Sequence, residues 1–342
     1  MSSTAPAASP DRKVSTRRLI FLACLSLACV VGALVVPIPF HGRVAVAVGD
    51  LVHGPLFFCV TLGVLYFLQR VRPIDHSDRR QMIIRCLSVF VLCSGFGLGM
   101  EGVQKVIGRS AAVHDAIANT LGAAAAVCFY VGWNRRRVSK RWFVWAGMGV
   151  ALIAVAWYRP LNVLLDVRRA QTNFPDLCDF RSELALTRWY LHECSSALST
   201  EHVTDGPYSM RLDFRPAEFP SATLIDFPKN WRRAEQLALD VTLDPRHSGS
   251  DVEMMIKVID RDRATEHSDT FRATYTLSPG ETQSIRLTRA ELLAGPDLHE
   301  LNLGDIEFVS IALIAPTRPA TLYVDGLKLQ LLPSDNTVDV RK

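Results

Sequence analysis

Apolar residues dominate five stretches of the first 160 positions, after which the chain changes to short blocks that alternate apolar and polar side chains. The five runs cover about 19–40, 48–69, 82–106, 115–133 and 142–158. Each is near the roughly 20 residues that a helix needs to cross about 30 Å of hydrocarbon. The first run has a rival reading as a signal peptide, because a polar, basic arm with Arg12, Lys13, Arg17 and Arg18 precedes it. It is longer than a signal core, however, and ends in Pro-Ile-Pro-Phe with no Ala-x-Ala site, which favours a retained helix.

Beyond about 180 the period changes to two. The segments 209–214, 222–227, 236–243, 252–260, 270–277, 282–287, 306–314 and 321–329 are β-prone and separated by turn residues. The predicted fold class is therefore an all-α transmembrane bundle of about five helices followed by an all-β jelly-roll sandwich. The expected divisions are a polar arm (1–18), the bundle (19–159), a linker (160–179), the sandwich (180–332) and a polar tail (333–342).

Charge sharpens this division. Up to Arg159 there are 18 Lys and Arg against 6 Asp and Glu, and the remainder has 20 against 28. The basic residues of the first half sit in short clusters between apolar runs, which is a topology signal and argues against a nucleic-acid partner. The arm, the 70–80 loop and the 134–141 loop hold 13 of them, whereas the alternate loops hold only Arg43, Lys105 and Arg109. The N-terminus is expected in the cytoplasm, and the sandwich, after five crossings, outside a cytoplasmic membrane. Of eight cysteines, six lie within apolar runs and read as small buried hydrophobes. Cys178 and Cys194 fall in the outer half, where one disulfide between them is an open alternative.

The polar residues of the apolar half are its informative chemistry, because each costs energy in a membrane unless paired or used. His53, Glu101, Gln104, Arg109, Asp115 and Asn119 all fall near the outer ends of the predicted helices. Glu101 and Gln104 are spaced i,i+3, and Asp115 and Asn119 i,i+4, so each pair shares a helical face. Gly95, Gly97, Gly99 and Gly102, with the small residues 122–126, are expected to let the third and fourth runs pack closely. The cluster has several readings: a polar clamp between helices, a binding site in which Arg109 grips a phosphate or carboxylate, or an acid–base site. A metal site from His53, Glu101 and Asp115, with His114, ranks last for want of recognised ligand spacing, and no metal or cofactor is expected.

Glu101-Gly-Val-Gln104, Gly108-Arg109 and Asp115-Ala-Ile-Ala-Asn119-Thr-Leu-Gly122, with His53 ahead of Phe57, Phe58, Leu62 and Gly63, resemble the signature of the VanZ-like membrane proteins. The resemblance covers about 20–135. It implies a place in the cell envelope and a link to teicoplanin resistance. The family often carries an Asp-Lys pair where Gly49-Asp50 stand here, so a lysine acting on an anion has no counterpart. The stretch Glu201–Phe214, Trp231 and Leu322-Tyr-Val-Asp325-Gly-Leu-Lys-Leu are similar to carbohydrate-binding modules of the galactose-binding-like jelly-roll class over about 180–332. That likeness implies a glycan ligand, for which Tyr208, Trp231 and Tyr275 are candidate stacking residues, with core packing as the alternative. Asp325 and Glu201 are candidate structural-calcium ligands against ordinary turn roles. The function expected is binding of a glycan, glycopeptide or lipid-linked envelope component at the outer face of the membrane. The alternatives are an envelope-modifying enzyme using Glu101 or Asp115 as acid or base, and a structural anchor for a membrane complex.

Overall fold

A computed structural model describes residues 32, 42–75, 78–106, 113–136, 140–249, 251–261 and 269–332. The chain divides into two compact units, Met1–Asn162 and Val163–Lys342. The first predicted run, 19–40, lies outside the described residues apart from Gly32, as does Arg109.

Four described helices are long and apolar enough to cross a membrane: α1 (Arg43–Val71), α2 (Arg79–Val106), α3 (Val113–Arg135) and α4 (Trp142–Thr172). Their outward faces are apolar. Ile83, Ile84, Leu87, Val91 and Leu92 on α2, and Phe143, Val144, Val150 and Val155 on α4, are exposed, while Glu101, Gln104, Asp115 and Asn119 are buried. That inversion suits a hydrocarbon solvent. The small residues work differently from the expectation above. A β-carbon on Gly122 of α3 would stand 2.1 Å from the Gly54 carbonyl oxygen of α1, whereas Gly95, Gly99 and Gly102 face open space. Close approach is thus between α1 and α3, and on α2 only Gly97 makes such a contact, against Phe57 and Asn119. Pro55 within α1 cannot donate to the Leu51 carbonyl, and the Trp157 indole of α4 donates to it instead at 3.0 Å.

Helix α4 continues to Thr172, well past the predicted end at 158 and into the expected linker, whose remainder holds β1. Its last turns, from Val163, belong to the second unit. There Asp166 accepts two bonds from the Arg188 guanidinium, at 2.9 and 2.7 Å, with both side chains buried. This bidentate pair gives the extra turns a fixed place on the sandwich.

The sandwich contains β1 (Asp176–Cys178), α5 (Glu183–Leu186), β2 (Trp189–His192), β3 (Cys194–Ser199), β4 (Ser209–Phe214) and β5 (Ser221–Leu224). After these come β6 (Ala234–Leu243), β7 (Val252–Asp260), β8 (Phe271–Leu277), β9 (Thr282–Thr288), α6 (Arg289–Ala294), β10 (Ile306–Leu313) and β11 (Ala320–Leu331). One sheet has the order β3-β4-β11-β6-β9, with β1 paired to β11, and the other β2-β5-β10-β7-β8. All named strand pairs are antiparallel. Alternation turns Met210, Leu212, Leu237, Leu239, Val241, Leu322 and Val324 of the first sheet into one core with Leu224, Met254, Ile256, Val258, Val309 and Ile311 of the second.

Cys178 and Cys194 are free thiols. Cys178 pairs with Leu327 on β11 and Cys194 with Phe214 on β4, so the strands hold them on different partners. The Cys194 thiol bonds instead to the Ser221 carbonyl at 3.2 Å, and burial pushes both thiols up to about 11. The disulfide alternative does not hold.

Candidate functional site

The helical unit gathers its polar residues where α1 meets α3. In the Gly54–Gly122 approach Gly54 directly follows His53 and Gly122 lies one turn after Asn119, and the His53 Nδ1 is 3.0 Å from the Asn119 Oδ1. His53 Nε2 faces the Asp115 Oδ2 at 4.0 Å. His114, one residue before Asp115, places its Nε2 3.1 Å from the Asp50 Oδ2 and 3.5 Å from the Asp115 Oδ1. Asp115 stands in the first turn of α3, where the helix dipole favours a negative charge. Asp50 and His114 join the group although the sequence offers the first only as a departure from a family pattern and the second only as an optional ligand. The i,i+3 step from Asp50 to His53 is the signal in the sequence that places those two on one face. Glu101 and Gln104 are buried on α2, and Gly97, one turn before Glu101, seats that helix against Asn119.

The three candidate sugar-stacking residues do not form a platform. Trp231 is fully buried, with its indole donating to the Pro228 carbonyl at 2.9 Å, so it offers no face to a ring. Tyr275 packs on the core from β8 of the five-stranded sheet, whereas Tyr208 precedes β4 of the other sheet. The calcium candidates have other partners. Asp325 accepts from the Thr204, Asp205 and Gly326 amides at 2.7–2.8 Å. Glu201 accepts from Arg246 at 2.9 Å and from the Tyr323 hydroxyl.

Two polar surfaces of the sandwich emerge instead. On the six-stranded sheet, Tyr323 stands between the His202 ring, 4.7 Å away, and Arg246, 3.0 Å from its hydroxyl. Burial, then the hydrogen bond to Glu201, pushes the Tyr323 hydroxyl up to about 12. This arrangement is closed on itself by the Arg246–Asp244 and Arg246–Glu201 ion pairs.

The outer face of the five-stranded sheet is open. Strand register sets Tyr190, Thr223, Ser310, Lys257 and Arg272 in one row across it. The Lys257 ammonium lies 5.9 Å from the Phe219 ring, placing that ring on the same face. Tyr190 and Phe219 are exposed at 61% and 46%, while Ser310, Met255 and Ala312, on the same face, are at most 8% exposed. Little-exposed side chains thus occupy the centre of this face, and two exposed aromatic rings share it. Thr223 and Ser310 share a hydrogen bond at 2.8 Å on this face. Strand periodicity alone does not show which aromatic side chains stay exposed, so Tyr190 and Phe219 are not legible as site residues in the sequence.

No protein-family model matches the chain, and no curated protein matches it. Among solved structures it is similar to an exo-beta-agarase, at 14% identity over 46% of this chain and 25% of that one, with a TM-score of 0.37. It is also similar to a family 11 carbohydrate-binding module from Clostridium thermocellum in complex with a beta-1,3-1,4-mixed-linked tetrasaccharide, at 14% identity over 45% of this chain and 93% of that one, TM-score 0.35. A family 30 carbohydrate-binding module of a cellulosomal cellulase of the same organism is 12% identical over 44% and 93%, TM-score 0.32. The match thus spans about a quarter of the agarase chain. Likenesses at these scores decide neither fold nor function, and the sandwich is defined by its own strand order.

Proposed function

We propose that the chain is a multi-pass protein of the cytoplasmic membrane whose sandwich, on the outer side, binds an envelope glycan. The observation that carries this reading is the outer face of the five-stranded sheet, where exposed Tyr190 and Phe219 share one surface with the polar row Thr223, Ser310, Lys257 and Arg272. Sugars present C–H faces that suit aromatic rings and hydroxyls that suit paired polar groups, so an extended saccharide suits such a surface. The positive-inside distribution of the basic loops supports the outer location. Titration of the 163–342 fragment with soluble envelope glycans tests the reading, with saturable binding expected. No binding to any of them at millimolar concentration rejects it.

The resemblance of 20–135 to VanZ-like proteins supports a second component of the proposal: the helical unit holds an amphiphilic or lipid-linked partner, or a glycopeptide, at its polar cluster. The convergence of Asp50, His53, His114, Asp115 and Asn119 at one place favours it. Teicoplanin susceptibility of a host expressing wild type, Arg109→Ala and Glu101→Ala at matched membrane levels tests this component. Protection by wild type alone is the expected result, and identical susceptibility in all hosts rejects the glycopeptide link. Acid–base chemistry at the same cluster is the rival reading, and turnover of a lipid-linked substrate that is abolished in Asp115→Asn would favour it.

A further inference from the structure

We infer that Asp50, His114 and Asp115 form a binding site for a divalent transition-metal ion, zinc by ligand type, in the helical unit. The inference stands on the packing of α1 against α3 and is independent of the glycan reading. Among the described residues, these three form the group of His, Cys and carboxylate side chains that brings one ligand atom each within 4.8 Å of the others. The His114 Nε2 is 3.1 Å from one carboxylate oxygen and 3.5 Å from the other. Neighbouring donors around a tetrahedral ion with bonds of about 2.0–2.1 Å stand about 3.3 Å apart, so these separations need little change to accept one. A mixed imidazole and carboxylate set suits zinc and its first-row neighbours better than magnesium or calcium.

Proximity of acidic groups alone would not require an ion, and a protonated His114 could bridge the two carboxylates. A further observation points to a cation. The Asp115 Oδ1 is buried with no hydrogen bond among the described residues, so its remaining capacity is directed at His114 and Asp50. A divalent ion also balances charge: it neutralises two carboxylates in apolar surroundings, whereas one imidazolium neutralises only one. His53, 4.0 Å from the Asp115 Oδ2, lies outside the three-residue set. Three protein ligands leave a fourth position for water or a partner's oxygen, the pattern of an open site.

The test uses the full chain in detergent micelles, purified on an affinity tag without histidines, loaded with zinc and desalted. Elemental analysis should find about one zinc per chain in wild type, reduced about tenfold or more in His114→Ala and in the near-isosteric Asp50→Asn. Zinc should raise the unfolding temperature of the wild-type protein and a chelator should reverse the rise, a readout that needs no variant. Cobalt loading should give the intense visible absorption of a tetrahedral site. Zinc below about 0.1 per chain in wild type, or unchanged content in well-folded Asp50→Asn, overturns the inference and leaves an imidazolium–carboxylate ion pair.

Discussion

His299 shows how much one residue can hold in the sandwich. Its Nδ1 is 2.8 Å from Asp269 and its Nε2 3.0 Å from Asp260, both carboxylates being buried. Burial disfavours the imidazolium, but the bonds to Asp260 and Asp269 outweigh it and raise the His299 pKa above 6.5. Burial likewise opposes the Asp269 carboxylate, while the Leu298 amide and His299 hold it below 3.8. The histidine's contribution is complete below its unfolded value and fades as pH rises through the raised one; that of Asp269 is complete above its unfolded value and fades in acid. His299→Ala should therefore lower the unfolding temperature most between about pH 4 and 6.5, with a difference that shrinks as pH rises through the raised value. A difference that grows with pH would contradict this. Residue roles were the least legible part of the sequence. Trp231 and Tyr190 are both aromatic residues in a β-rich region, and only packing buries the first and exposes the second. The acidic partners of His299 are 30 and 39 positions away, beyond any local spacing rule.

At the scale of elements, the close approach of α1 to α3 depends on having no side chain at Gly122. Gly122→Ala would put a β-carbon 2.1 Å from the Gly54 carbonyl oxygen, and backbone cannot move aside cheaply. Loss of the folded helical unit, read as a lower unfolding temperature in detergent, is expected, whereas Gly99→Ala, facing open space, should be neutral. The last turns of α4 supply a second prediction. A fragment starting at 163 keeps Asp166, while one starting at 170 leaves the Arg188 guanidinium buried without that partner. The shorter fragment should be less stable by about 3–5 kcal/mol in chemical denaturation. Equal stability would show that water replaces Asp166. The eight strands β4 to β11 are legible from β-prone runs between turn residues, and the helices because their apolar runs approach membrane length. β1 and β2 carry too few periods to register, β3 is Ser- and Ala-rich with a single large apolar residue, Leu198, and α4 outruns its apolar run because tertiary pairing, not hydropathy, sustains its end.

At the scale of the whole molecule, four helices long and apolar enough to cross a membrane precede a sandwich with exposed aromatic rings on one sheet. The side of the membrane is a separate prediction. Protease added to intact cells after removal of any outer barrier should release the 163–342 region, and protection until the membrane is opened would place it in the cytoplasm, against the charge pattern of the loops. Glycan binding at the five-stranded sheet is the claim on which the functional reading depends. The most direct measurement is retention of the full-length protein in detergent on insoluble envelope polysaccharide, comparing wild type with Tyr190→Ala, Phe219→Ala and, on the opposite sheet, His202→Ala. Retention should fall about tenfold in each of the first two, a stacking contribution of about 1–1.5 kcal/mol, and stay at the wild-type level in the third. Wild-type retention in both Tyr190→Ala and Phe219→Ala, or no retention of wild type, would contradict the account.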